Sequence, residues 1–202
     1  MPRGIILDRD GTLIDVVRDA DLGVITPAFH PDQLRFLPGV LEGLSRLAQA
    51  GYLLAIATNQ PGAAKGQLPR AAIERVNQAV VARLRESGIE IASLQTCLHH
   101  PEGGPGGDAT LVGPCECRKP KAGMLLRIAA DLQLDLSSSW MVGDSIADAE
   151  AARAAGMNAG LIFDPRRCEL CPLRTGPTLH PNASAPTLDA LATAILNRSP
   201  QT

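Results

Sequence analysis

Three short stretches carry carboxylates or hydroxyls of the kind that handle phosphoryl groups: Asp8-Arg9-Asp10-Gly11-Thr12, Thr58-Asn59-Gln60 and Gly143-Asp144-Ser145. Each follows a short apolar run that reads as a buried strand. If those runs are parallel strands, their carboxyl ends share one edge, where ligands bind in open α/β sheets. Asp8, Asp10 and Asp144 would then form an oxygen-rich site of the kind that suits Mg²⁺. A carboxylate can also attack phosphorus itself and form an aspartyl phosphate. Asp8, directly at a strand end, is rigidly placed for this. A sugar alkoxide leaves poorly without a proton, so Asp10 fits as the acid and then as the base toward water. The Thr58 hydroxyl and the Lys119 ammonium suit the phosphoryl oxygens and the charge that develops on them.

Blander readings of these residues exist. Asp-x-Asp-Gly favours turns, and Asp144 is a natural helix N-cap. Asp148, one turn further on, either supports the site or complements the helix dipole. A calcium loop counted from Asp8 fails, because Leu13 stands where the sixth position requires Gly.

A second constellation is built from Cys97-Leu98-His99 and Cys115-Glu116-Cys117, which flank a Gly/Pro-rich stretch at 101–114. Three thiolates and an imidazole are a donor set for tetrahedral Zn²⁺, and four protein ligands leave no open position, which makes the role structural. Such a site would anchor Arg118 and Lys119, which follow the last ligand. Two other arrangements use the same residues: ordinary buried thiols, or a set of Cys115, Cys117, Cys168 and Cys171. Cys168 and Cys171 fit equally a half-site with His180, a redox pair, or two plain thiols. His100 reads as a loop residue. Five cysteines, an odd number, argue against a disulfide framework.

Composition narrows the classes. The 202 residues carry 19 Lys and Arg against 21 Asp and Glu, a formal charge of −2 without a basic run. That balance disfavours binding nucleic acid by backbone charge, and five aromatic residues leave little for base stacking. No apolar run approaches the roughly 20 residues of a membrane span, and the first ten residues show no signal-peptide pattern. A cytoplasmic monomer is the expectation. Strands at 4–7, 52–57, 91–98, 140–142 and 159–163 alternate with helices at 38–50, 69–88, 123–134, 145–155 and 188–196. That alternation predicts βαβ units and a parallel sheet. Residues 101–114 and 164–186 read as irregular.

The stretches ILDRDGTLI, ATNQPGAAKG, CRKPKAGM and MVGDSIADAEAA, in that order, resemble the motifs of haloacid dehalogenase (HAD)-type phosphatases. Within that family the likeness is greatest to the D-glycero-D-manno-heptose 1,7-bisphosphate 7-phosphatases, with histidinol-phosphate phosphatases as near relatives. The resemblance implies one α/β domain over 1–202: a Rossmann-like parallel sheet flanked by helices, a minimal cap and a zinc-binding loop. By motif position it makes Asp8 the nucleophile, Asp10 the acid and base, and Thr58 and Lys119 the phosphoryl stabilisers. Asp8, the Asp10 carbonyl and Asp144 would hold Mg²⁺, and Cys97, His99, Cys115 and Cys117 would hold Zn²⁺. Asn59, Gln60, Lys65 and Arg118 would meet a small phosphorylated sugar. Residues 13–32 depart from the heptose pattern. Histidinol phosphate, another small monoester or a nucleic-acid 3′-phosphate are the alternative substrates. A zinc-stabilised binding module with an inactive acidic site is the non-enzymatic alternative.

Overall fold

The computed structural model describes residues 1–19, 21, 23–163 and 181–198. Cys168, Cys171 and His180 lie outside the described residues. Strand β1 (Arg3–Leu7) is apolar at successive positions because both of its faces are covered. Ile5 and Leu7 enter one core cluster and Ile6 the other. β1 pairs in parallel with β4 (Tyr52–Asn59) on one side and with β6 (Trp140–Gly143) on the other. β5 (Ser93–Cys97), β7 (Asn158–Ile162) and β8 (Ala183–Ala185) complete a six-stranded parallel sheet of order β5-β4-β1-β6-β7-β8.

Parallel neighbours need crossovers, and the helices supply them. Helices α1 (Val40–Gln49), α2 (Arg70–Glu86) and α5 (Leu188–Arg198) cover the Ile5/Leu7 face. Helices α3 (Gly123–Leu132) and α4 (Ile146–Ala155) cover the Ile6 face with Met124, Leu125, Ala151 and Ala152. The result is a three-layer α/β/α arrangement, the Rossmann-like architecture that the sequence predicts.

Three stretches differ from expectation. Residues 183–185, inside a stretch read as irregular, form β8 against β7. An Ala-Ser-Ala run has no β-branched or alternating signal, so only its ladder partner makes it a strand. Within 13–32 the chain forms an antiparallel hairpin, β2 (Val17–Asp19) with β3 (Val24–Thr26), then a 3₁₀ turn at Pro31–Gln33. Strands of three residues are too short to show a period. Finally, α3 stops at Leu132, because Gln133 adopts the left-handed conformation (φ 54°) as its C-cap.

Candidate active site

The carboxyl edge of the sheet gathers the predicted residues. Asp8 continues β1, its N–H donating to the Val142 carbonyl of β6 at 2.9 Å. Oδ1 of Asp8 accepts from the Arg9 N–H at 2.7 Å and lies 3.0 Å from Lys119 Nζ. The turn behind it needs glycine. Gly11 has φ +77°, and a Cβ there would strike the Asp144 carboxylate. A Cβ at Gly143 would likewise strike the Asp148 side chain. Both glycines let backbone from different strands close around one set of acids.

Lys119 is buried and sits among three acceptors: Asp148 Oδ1 at 2.6 Å, the Ala57 carbonyl at 2.7 Å and Asp8. Asp148 is the residue whose role the sequence left open. It is 1% exposed, and its Oδ2 accepts from the Ser145 N–H and hydroxyl, so one carboxylate both caps α4 and anchors Lys119. Burial opposes charge on Lys119, yet the Asp8 and Asp148 carboxylates outweigh it and hold the ammonium above its ordinary range. Asp144 faces the same cluster. Carboxylate oxygens of Asp8, Asp144 and Asp148 all lie within 4.8 Å of one another.

Crowding of acids has a price in ionisation. Burial pushes Asp8 up to about 6 despite Lys119, with Asp148 and Asp10 adding repulsion. Burial, then the Asp8 and Asp148 charges, push Asp144 up to about 7. Because Asp148 is already engaged at both oxygens, Asp8 and Asp144 are the pair whose charge a bound cation would neutralise. Two carboxylates fit Mg²⁺, which completes its shell with waters and a substrate phosphate.

Around Asp10 lies a second network. Gln60 Nε2 donates to Asp10 Oδ2 at 2.5 Å and to Thr58 Oγ1 at 2.9 Å, which links three predicted site residues. Arg9, fully buried, forks onto Asp10 with Nη2 at 2.9 Å and Nε at 3.2 Å from Oδ2. Arg9 carries no motif signal of its own in the sequence beyond its place between the two aspartates. Asn59 lies at the site edge with both ends of its amide on Lys119. Its Nδ2 donates to the Lys119 carbonyl at 3.0 Å, and its Oδ1 accepts from the Lys119 N–H at 3.1 Å.

The cysteine constellation also assembles. The ligand atoms of Cys97, His99, Cys115 and Cys117 lie within 4.8 Å of one another. Cys97 Sγ is 3.8 Å from both Cys115 Sγ and His99 Nδ1, and 3.0 Å from Cys117 Sγ. A tetrahedron with Zn–S bonds of about 2.3 Å has edges of about 3.8 Å, which the separations from Cys97 to Cys115 and His99 match, while Cys117 lies closer to Cys97 than such an edge; the donor set is one that suits zinc. Burial, first, and the neighbouring thiols push the Cys97 thiol far up in the absence of such an ion. This loop also clasps the loop after β4. Asp108 N–H donates to the Ala63 carbonyl at 3.0 Å, and Gln60 N–H donates to the Cys97 carbonyl at 2.7 Å. Arg118 donates to the His99 carbonyl at 3.3 Å. Lys65 and Arg118 flank His100, whose imidazole is held below its usual range by burial and then by those two charges. Lys65 and Arg118 thus form a cationic rim around an imidazole that stays neutral.

An aspartate paired with a lysine at the carboxyl edge of a Rossmann-like sheet is the arrangement that a hydrolase with a carboxylate nucleophile would use. Residues 116–163 match a family model described as HAD-hydrolase-like. The chain is 38% identical over 158 residues to the D-glycero-beta-D-manno-heptose-1,7-bisphosphate 7-phosphatase of Pseudomonas aeruginosa, covering 78% of this chain and 79% of that protein. It is 31% identical over 179 residues to the Escherichia coli K12 protein of the same name, covering 89% and 83%. The crystal structure of the D,D-heptose 1,7-bisphosphate phosphatase of B. bronchiseptica, complexed with magnesium and phosphate, superposes with a TM-score of 0.75 at 31% identity, over 98% of this chain and 99% of that one. The chain belongs to the HAD-type phosphatases, in the group of these heptose bisphosphate phosphatases.

Proposed function

We propose that this phosphatase hydrolyses the 7-phosphate of D-glycero-D-manno-heptose 1,7-bisphosphate and leaves the anomeric phosphate in place. The observation that carries this reading is the Asp8–Lys119–Asp148 arrangement beside Asp144, in a chain that matches the named relatives over more than three quarters of its length. Asp8 attacks phosphorus, the bond from phosphorus to the C7 oxygen breaks, and Asp10 gives that oxygen its proton. Water then attacks the aspartyl phosphate, Asp10 takes the proton, and Asp8 returns as a carboxylate with release of inorganic phosphate. Lys119 neutralises charge on the transferring group, and the Thr58 hydroxyl, which accepts from Gln60, keeps its own proton to donate to a phosphoryl oxygen. Asn59 acts by clamping the backbone of Lys119.

Mg²⁺ held by Asp8, the Asp10 carbonyl and Asp144 would supply positive charge that orients the phosphate and offsets its repulsion by Asp8. Zn²⁺ on Cys97, His99, Cys115 and Cys117 would fix the segment that presents Arg118 and Lys119. Lys65 and Arg118, on the cationic rim, suit the second phosphate of a bisphosphate. The test is Mg²⁺-dependent phosphate release from both anomers of the heptose bisphosphate, histidinol phosphate and a 3′-phosphorylated oligonucleotide. The expected result is the highest kcat/KM on a heptose bisphosphate, with the anomeric phosphate retained. A higher kcat/KM on histidinol phosphate or the oligonucleotide would overturn the substrate assignment, and no release from any of them would favour the binding-module alternative.

A further inference from the structure

We propose that Arg9, held from behind by Asn77, is a positioning residue that fixes Oδ1 of Asp10 as the oxygen through which this carboxyl gives and takes its proton. The inference rests on the reading of Asp10 as acid and base, and adds which atom works and what holds it there. Three N–H groups converge on Oδ2: Gln60 Nε2 at 2.5 Å, Arg9 Nη2 at 2.9 Å and Arg9 Nε at 3.2 Å. A carboxyl oxygen has two lone pairs, so Oδ2 has none left for a proton. Among the described residues, Oδ1 meets only a long contact with Arg9 Nη2, at 3.2 Å. A guanidinium does not give up its own protons, so the fork cannot turn into an acceptor. Protonation and transfer fall to Oδ1.

The guanidinium is itself held. Its Nη1 donates to Asn77 Oδ1 at 2.6 Å, and Asn77 Nδ2 donates to Thr96 Oγ1 at 2.9 Å. Both ends of the Asn77 amide are thereby assigned, and the chain Thr96–Asn77–Arg9–Asp10–Gln60–Thr58 runs from β5 through α2 to the site. Asn77 stands out in its own helix. The buried face of α2 is otherwise built from Ala72, Ile73, Val76, Val80 and Leu84, and a buried amide is unfavourable unless it is bonded. Packing alone would be served by an apolar residue at 77. A fixed carboxyl matters for proton transfer, because small errors of placement slow it steeply.

Leaving-group dependence separates positioning from a merely structural role. Breaking the bond to a sugar oxygen needs the proton of Asp10, whereas p-nitrophenolate leaves without one. Asn77→Leu removes the rear anchor, and Asn77 and Thr96 border a groove of about 700 Å³ between α2 and β5 that gives the new side chain room. Phosphoenzyme formation is followed in single turnovers of the Mg²⁺-loaded protein with heptose bisphosphate and with p-nitrophenyl phosphate. The expected result is a loss of about tenfold or more in the single-turnover rate of phosphoenzyme formation from the sugar substrate, with the half-saturating concentration within about twofold, and less than about threefold change in that rate from p-nitrophenyl phosphate. Arg9→Lys keeps the buried charge but loses the fork, and it gives the same split if Asn77→Leu does not fold. Equal losses on both substrates, or no loss on either, would overturn the proposal. Asp10→Asn is the reference. If it too shows no split, the reading of Asp10 as the acid fails, whereas a split confined to Asp10→Asn refutes the positioning role alone.

Discussion

Asp148→Asn tests the buried ion pair that sets Lys119 in place. Asp148 and Lys119 are 1% and 3% exposed, and their charged atoms are 2.6 Å apart. The amide keeps the shape and can still cap α4 through its oxygen, but it turns an N–H toward the ammonium. Removing one partner of a buried pair costs about 3–5 kcal/mol. Lys119 retains Asp8 at 3.0 Å and the Ala57 carbonyl at 2.7 Å, which favours the lower end. With an unfolding entropy of about 2.1 cal/mol/K per residue, the 202 residues give about 0.4 kcal/mol/K, so about 3 kcal/mol lowers Tm by about 7 °C. The assay is a double-mutant cycle with Lys119→Met, read by thermal unfolding of metal-free protein. Lys119→Met removes the stranded charge, so the double variant recovers part of the loss, with a coupling of about 2 kcal/mol. A coupling below about 0.5 kcal/mol, or Asp148→Asn within about 2 °C of wild type, would refute the argument that this pair organises the site.

Three further outcomes are expected. Cys115→Ser removes one of the four proposed zinc ligands. Metal analysis should show zinc lost from the purified protein with a fall in Tm, and unchanged zinc content would point to another ligand set. Lys119→Met, besides its place in the cycle, should lower turnover by about 10²–10³-fold while phosphate release stays dependent on Mg²⁺; unchanged kcat would remove Lys119 from the chemistry. Asp8 and Asp144 are raised to about 6 and about 7, above their unfolded values near 3.8. Without metal their contribution to stability is full below about pH 4 and is lost as pH climbs through 6 and 7. Mg²⁺ takes the ionised pair, so it should raise Tm clearly at about pH 8 and little at about pH 5, and equal shifts at the two would contradict that linkage.

Much of the fold was legible because its signals are local. The apolar runs of β1, β4 and β6, the amphipathic faces of α1 and α2, and glycines past helix ends each report structure without knowledge of partners. The candidate catalytic aspartates were legible for a related reason: an acid at a strand end stands beside an apolar run, as Asp8 follows Leu7. What escaped depends on contacts distant in sequence. Arg9 is 68 residues from Asn77, and nothing near either shows that the two meet. The clue was negative, an amide in the apolar stripe of α2. Asp148 could be read as a dipole partner of α4, since its partner Lys119 comes from a loop 29 residues away in the chain. Asn59, adjacent to Thr58, looked like a substrate contact, and only the fold reveals that Lys119 occupies both ends of its amide. β8 was invisible because a three-residue strand is made by its neighbour.

In the proposed mechanism Asp8 carries the phosphoryl group during turnover. The most direct test is acid quenching of the Mg²⁺-loaded protein in the first turnover with heptose bisphosphate, followed by peptide mass spectrometry. Phosphate bound to the peptide containing Asp8, absent from Asp8→Asn together with nearly all turnover, is the predicted result. Turnover by Asp8→Asn near the wild-type rate, or phosphate mapped to another residue, would contradict it.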